Sequence, residues 1–296
     1  MRFAATTLDL STLAAPSAVE DIDYEALLAD AIGRFTAQWA IERAKNPLLP
    51  AFDTINLESD PARKVIEACV YREMLARQRI NEAVRSCMVA TAIKTDLDNL
   101  AAFYGVVRQD GENDETLRSR IVLAPEGFAT AGPVGAYQFH ARSADPVAIK
   151  DVMPLNPSPG KVKVVVQARA GNGIPPASLL NAVRSALSKE DVIPHTDMVD
   201  VVPVIVREYT IDAGLTLYPG PDAAAVLAAA NSAVRDYAAD VSRIGQDVTV
   251  SGLHRALQQP GVQRVTLRSP AAGLVIAEDE ASYCSAVSVT MDGRDE

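Results

Sequence analysis

The chain has 296 residues, enough for one large domain or two to three small ones, and 48% of them are hydrophobic. Only 5% are aromatic, which argues against sugar-binding grooves and base-stacking platforms. The formal charge of −10 repels phosphate backbones unless a basic patch is segregated from the acidic remainder.

No such patch is found. The densest basic stretch, Arg63 to Arg85, is interleaved with Glu67, Glu73 and Glu82, the pattern of a solvated helix face, so no nucleic-acid partner is expected. Three cysteines, Cys69, Cys87 and Cys284, with no C-x-x-C, fit buried thiols in a reducing compartment. The first nine residues, Met1 to Asp9, are too polar and too soon acidic for a signal peptide. No stretch approaches the roughly 18 apolar residues of a membrane span. The expectation is a protein made and kept in the cytoplasm, with no membrane partner.

In chain order, Tyr24, Leu27, Leu28, Ala31, Ile32, Phe35 and Trp39 recur at three- and four-residue steps, one apolar stripe on a helix with Asp23 as N-cap. Asn46-Pro47 ends it. Asp60-Pro61 restarts a helix, carrying Val65, Ile66, Cys69, Val70, Met74, Ala83, Val84, Cys87 and Met88. A short helix starts near Thr95 and presents Leu97, Leu100, Ala101 and Tyr104, with Gly105 as its left-handed cap. Another covers Asp114 to Leu123. The Gly/Pro-rich segment Ala124 to Gly135 reads as a linker.

Strands and helices then alternate. Val162 to Val166 is a strand, Leu179 to Leu187 a helix, and Met198 to Val206 is β-rich with a break at Pro203. Thr210 to Leu217 is a strand, and Val226 to Tyr237 a helix. Ser251 caps a short helix over Leu253, Ala256 and Leu257, Pro260-Gly261 turns into Val262 to Leu267, and Val287 to Thr290 adds a final strand. Strand, helix, strand occurs twice, a weak repeat in the order of elements. The fold class is α+β: an N-terminal helical region at 1–123, a linker at 124–144, and two small strand–helix–strand modules at 145–204 and 205–296.

Catalytic signatures are not met. Gly171-Asn172-Gly173-Ile174-Pro175-Pro176 lies between a strand and a helix, but the third glycine of a dinucleotide fingerprint falls at Pro176. Proline there removes an N–H and blocks close approach, so the segment reads as a β–α loop with Pro-Pro opening the helix. Gly160-Lys161 is no P-loop. His140, His195 and His254 have no metal-ligand spacing, and no G-x-S-x-G is present. Asp96 with Asp98, and Glu278 with Asp279 and Glu280, read as capping and solvated loop residues. A glycosidase pair far apart in the chain stays open. No catalytic residue, metal site or cofactor is assigned.

Ordered stretches along most of the chain resemble the baseplate J-like family of contractile phage tails and R-type pyocins. They include Asp98 to Val106, Leu117 to Ile121 with Ala124-Pro125-Glu126, Ala148 to Val152, Pro157 to Val162, Pro194-His195-Thr196-Asp197 and Gly245 to Ser251. The most specific is Thr130-Ala131-Gly132-Pro133-Val134-Gly135-Ala136-Tyr137-Gln138-Phe139-His140-Ala141. The resemblance implies a structural wedge protein of the baseplate, not an enzyme. It implies homo-oligomers in which two copies pair with a smaller wedge partner through N-terminal helices in a shared bundle. The α/β parts would link neighbouring wedges into a ring, with sheath-initiator and hub proteins as further partners. Assembly would take place in the host cytoplasm, ending in the baseplate of a phage tail or tail-like particle, and 127–135 would hinge when the ring opens. The alternative is a particle-associated cell-wall hydrolase or a small-ligand-binding α/β protein, distinguished by a convergent polar pocket. The candidate subunit interface is Tyr24, Leu27, Leu28, Ile32, Phe35 and Trp39, since aromatics are favoured anchors; the competing expectation packs that stripe on the chain's own helix from Pro61.

Overall fold

The computed structural model describes residues 10–295 except 15, 130–131, 190–191, 193, 195–196 and 221. The leader reading of Met1 to Asp9, and the readings that touch Thr130, Ala131, Ile193, His195 and Thr196, lie outside the described residues. The chain forms two compact units, one from residues 9–100 and one from residue 101 onward. Among the described residues, no helix is long and apolar enough to cross a membrane.

The first unit is helical. After a 3-10 turn at Leu10–Thr12, α1 spans Tyr24–Lys45 and α2 spans Pro61–Ser86. Both starts follow from local capping. Asp23 accepts hydrogen bonds from the N–H groups of Glu25 and Ala26, and Asp60 from those of Ala62 and Arg63, with Pro61 at the first helical position. The segment ahead of α1 is tied to α2 by Asn81, whose amide exchanges two hydrogen bonds with the backbone of Glu20, at 3.0 and 2.9 Å. α3, Lys94–Phe103, follows, and Gly105 at φ +69° lets the Val106 N–H return to Ala101 O, a left-handed helix end.

The second unit is α+β. α4, Asp114–Gly127, is capped by Asn113, and α5 spans Val134–Ala144. The segment 124–144, expected as a linker, is therefore mostly helix. Ala136, Tyr137 and Ala141 of α5 are buried, and Tyr137 and Ala141 sit in the core of the first sheet. Two glycines of the 127–135 segment allow close packing. A Cβ on Gly127 would meet the Phe139 ring at 2.3 Å, and one on Gly135 would meet the Glu126 side chain at 2.7 Å, so α4 and α5 approach closely only because both positions lack one.

β1, Ile149–Ser158, and β2, Lys161–Ala168, form an antiparallel hairpin. Its turn is Pro159-Gly160, with Gly160 at φ +73°, where proline sets the first φ and glycine supplies the positive one. α6, Ala177–Leu187, then carries the chain to β3, Met198–Pro203, parallel to β2. The first sheet has the order β1-β2-β3. In the second sheet, β4, Ile205–Leu217, lies between β5, Val262–Ser269, and β6, Glu280–Arg294. β5 is antiparallel and β6 parallel to it. α7, Ala223–Val241, and α8, Val250–Leu257, cover this sheet. α8 is capped by Thr249, which accepts from the Gly252 N–H, not by Ser251. Each sheet thus has a central strand with one antiparallel and one parallel neighbour. The antiparallel neighbour precedes the central strand in the first sheet and follows it in the second, which is why the repeat is weak.

The sheets meet without a loop. The Val204 N–H donates to Val166 O of β2, and the next N–H, of Ile205, donates to Asp279 O beside β6. A small apolar seam of Met153, Val165, Val204, Ile244 and Ala281 fills the junction, flanked by the larger cores under α6 and under α7 and α8. Each fully buried Leu or Val in these cores contributes about 1.5–3 kcal/mol.

Because α5 completes the first core, a fragment 94–296 is expected to melt cooperatively. A fragment 145–290 exposes the apolar surface that Tyr137 and Ala141 cover and is expected to lose that cooperativity. Circular dichroism melts compare the two, and equal melting points would place α5 outside the folding unit.

Candidate assembly surfaces

In the helical unit, α1 packs against α2. Of the six candidate interface residues, Leu28 is buried, while Tyr24, Leu27, Ile32, Phe35 and Trp39 are half-buried. Phe35 and Trp39 stack, with ring centres 6.4 Å apart, and both meet Phe52 edge-on at 5.2 and 6.0 Å. The Trp39 indole N–H donates to Pro50 O at 3.2 Å. At the C-terminal end of the stripe, Phe35 and Trp39 are thus engaged within their own unit, with Pro50 and Phe52 supplying part of what covers them.

α2 has two apolar faces, which the sequence reading merged. Val70 is buried, and Ile66, Met74, Val84 and Met88 are half-buried with it. On another side, Val65, Cys69, Ala76, Ile80, Ala83 and Cys87 are all exposed, at three-, four- and seven-residue steps along one line of the helix. Val65 is 64% and Ile80 59% exposed. The signal for this second face was the seven-residue step from Cys69 to Ala76 to Ala83. The expectation of buried thiols fails at Cys69 and Cys87, which are free and exposed, while Cys284 is half-buried.

In the α/β unit, an open groove of about 900 Å³ is bordered by Arg120, Arg142, Lys150, Arg169, Arg243 and Arg255, with Glu115, Asp151, Asp236 and Asp240 among them. Asp151 anchors its floor. Its carboxylate accepts from Arg142 Nη2 at 2.7 Å, from the Val152 N–H at 3.0 Å and from the Ile244 N–H at 3.2 Å, and so links the two sheets. Lys150 donates to Ala239 O at 3.2 Å; burial pulls its pKa below the ordinary lysine value, and Arg243 and Arg169 pull it the same way. Gln167 donates to Ser242 O at 3.2 Å, and the Ser242 hydroxyl to Ser282 O at 2.6 Å. These groups hold sheet to sheet. They present charge but do not set a nucleophile against a base.

The remaining sequence candidates are structural. Asp279 forms an ion pair with Lys163 at 2.9 Å, and the hydrogen bond from that ammonium holds its carboxyl below the usual range. Glu280 accepts from the Ala277 N–H at 3.1 Å. The His140 ring meets Phe139 edge-on at 5.2 Å, and half-buried His254 lies in α8. Pro176 stands at the N-cap of α6. Tyr137 donates to Asp197 at 2.6 Å, and burial together with that carboxylate pushes its phenol pKa upward. Among the described residues, no cluster of three or more His, Cys, Asp or Glu side chains fits a metal ion.

Three family models match the chain: the baseplate J-like N-terminal domain at 58–110, the baseplate J-like central domain at 129–203 and the baseplate J-like C-terminal domain at 209–290. The central match begins ahead of α5 and ends with β3. Baseplate protein J of Escherichia phage P2 is 38% identical over 304 aligned positions, covering 98% of this chain and 99% of that protein. A chain in the 6-fold symmetrised cryo-EM structure of the anti-feeding prophage baseplate aligns at 18% identity and a TM-score of 0.43, over 62% of this chain and 43% of that one.

Proposed function

The chain belongs to the baseplate J-like family, and from that premise we propose that it is a wedge subunit whose helical unit docks with partner helices while its α/β unit meets neighbouring copies. It is a structural component of a phage-tail baseplate and not an enzyme. In this proposal two copies and one smaller partner make each wedge, the wedges close a ring around the hub and reach the sheath initiator, and assembly takes place in the host cytoplasm. The candidate interface on α1 belongs to this reading, extended to the outer face of α2.

One observation carries the proposal. The outer face of α2 keeps Val65 and Ile80 more than half exposed within a well-capped helix, and a contiguous exposed apolar face marks a binding surface. Obligate assemblies hide such faces in large apolar interfaces. Quantitative mass spectrometry of purified particles tests it. The expected result is this chain at twice the molar amount of one smaller baseplate protein. Equal amounts, or absence of the chain from intact particles, would overturn the wedge assignment.

A further inference from the structure

Two three-stranded sheets leave four outer strands, and three of them carry features that oppose pairing with another strand. β1 contains Pro154 and Pro157. β3 is six residues long, contains Asp200 and ends on Pro203. β5 carries Arg264 and Arg268 and runs into Pro270. β6 is different. It is 15 residues long, and its first residues are covered on the outer side, where Ile244 bridges Ala281 and the Gly245 N–H donates to Glu280 O. Beyond that point β4 is its only strand neighbour among the described residues. From Tyr283 to Met291 it has neither charge nor proline. Its register irregularities fall at Ser285 and Asp292, leaving Ala286–Met291 as a regular, uncharged edge with no second strand beside it among the described residues.

The geometry points to this edge as a site of strand addition, with β6 of a second copy as the added strand, antiparallel and centred on Ser288. The choice of occupant rests on charge and self-complementarity. Two chains that each carry −10 repel one another, so they meet most easily along a strip without carboxylates. A two-fold axis at Ser288 sets Ala286 opposite Thr290 and Val287 opposite Val289, and Ser288 faces its own copy. Val287 and Val289 lean toward the core under α7, where they continue the apolar layer across the junction, while Ala286, Ser288 and Thr290 stay on the exposed face. The β-branched pairs and small polar pairs that result favour antiparallel pairing. The product is one six-stranded sheet built from two copies, joined by main-chain hydrogen bonds as in other strand additions.

This rests on the wedge reading, in which the α/β units of neighbouring copies meet, and names the strand through which they do so. A particle inventory at another ratio would leave it standing, and its failure in solution would leave the wedge reading standing. The test is sedimentation of the full-length purified chain with Ser288→Lys and Ser288→Asp. The wild type is expected to dimerise at micromolar concentration. Each variant alone is expected to associate about tenfold more weakly or worse, since like charges directly opposite in a ladder oppose pairing, with an unchanged melting point because Ser288 is exposed. An equimolar mixture of the two variants is expected to regain the dimer. A wild-type chain monomeric up to its solubility limit, a dimer indifferent to Ser288→Lys, or a mixture that does not recover would each overturn the proposal.

Discussion

Arg120→Met is expected to lower the unfolding free energy of the α/β unit by about 3–5 kcal/mol, the cost of stranding one partner of a buried ion pair. The guanidinium of Arg120 lies 3.0 and 2.7 Å from the two carboxylate oxygens of Glu112. The side chains are 7% and 0% exposed. Arg120 also donates to Val107 O and to the Ser143 hydroxyl, and the Gln109 N–H donates to Glu112 Oε2 at 3.0 Å. This network joins α4, the end of α5 and the loop between α3 and α4. Met fills the volume but leaves the Glu112 charge with one N–H of Gln109 in place of a cation. At roughly 2–4 °C per kcal/mol for a unit of this size, the melting point falls on the order of 10 °C. Adding Glu112→Gln removes the stranded charge and is expected to recover part of the loss. Urea and thermal melts of the two variants make the comparison. An Arg120→Met chain within 1 kcal/mol of wild type would mean that water reaches the pair.

The second large effect is on assembly. Ile80→Asp on the outer face of α2 is expected to leave the melting point of the isolated chain nearly unchanged, because exposed substitutions commonly stay within about 0.5 kcal/mol. If the face is covered in the particle, the same carboxylate becomes a buried, unpaired charge there, and incorporation into particles is expected to be lost. Leu28→Asp is the contrasting variant. Leu28 is 5% exposed inside the chain itself, so its replacement is expected to unfold the helical unit before any partner is met. Phe35→Asp would not discriminate, since Phe35 contacts Trp39 and Phe52 within the chain. Melting curves together with particle incorporation settle the assignment. A stable Ile80→Asp chain that enters particles at wild-type levels would remove the outer face of α2 from the interface.

What the sequence revealed depended on how local the cause was. The caps Asp23 and Asp60, the proline after Asp60 and the left-handed Gly105 act within one turn, so they were legible. The α+β alternation was legible because β2, α6, β4 and α7 are regular. β1 went unread as a strand because Pro154 and Pro157 break its alternation. α5 was hidden by the glycines and prolines around it, of which Gly127 and Gly135 serve the close approach of α4 and α5. The covering of the α1 stripe depends on Phe52 and Pro50, which no helical period indicates. The two faces of α2 differ by a rotation that a single list of apolar positions does not resolve. Glu112 and Arg120 stand eight positions apart on different elements, and Asp151 meets Ile244 from 93 positions away, so neither pairing has a sequence signature.

The direct passage from β3 to β4 through Val204 has a mechanical consequence. A strand shared by two sheets leaves no slack between them, so a pull applied to either sheet reaches the other along the backbone. Tension along that strand loads its ladder bonds to β2 on one side of Val204, and to β5 and β6 on the other, in shear. Many bonds then carry the load together and do not peel away one at a time. By this argument the α/β unit is expected to act as a stiff strut, which leaves compliance to lie outside it.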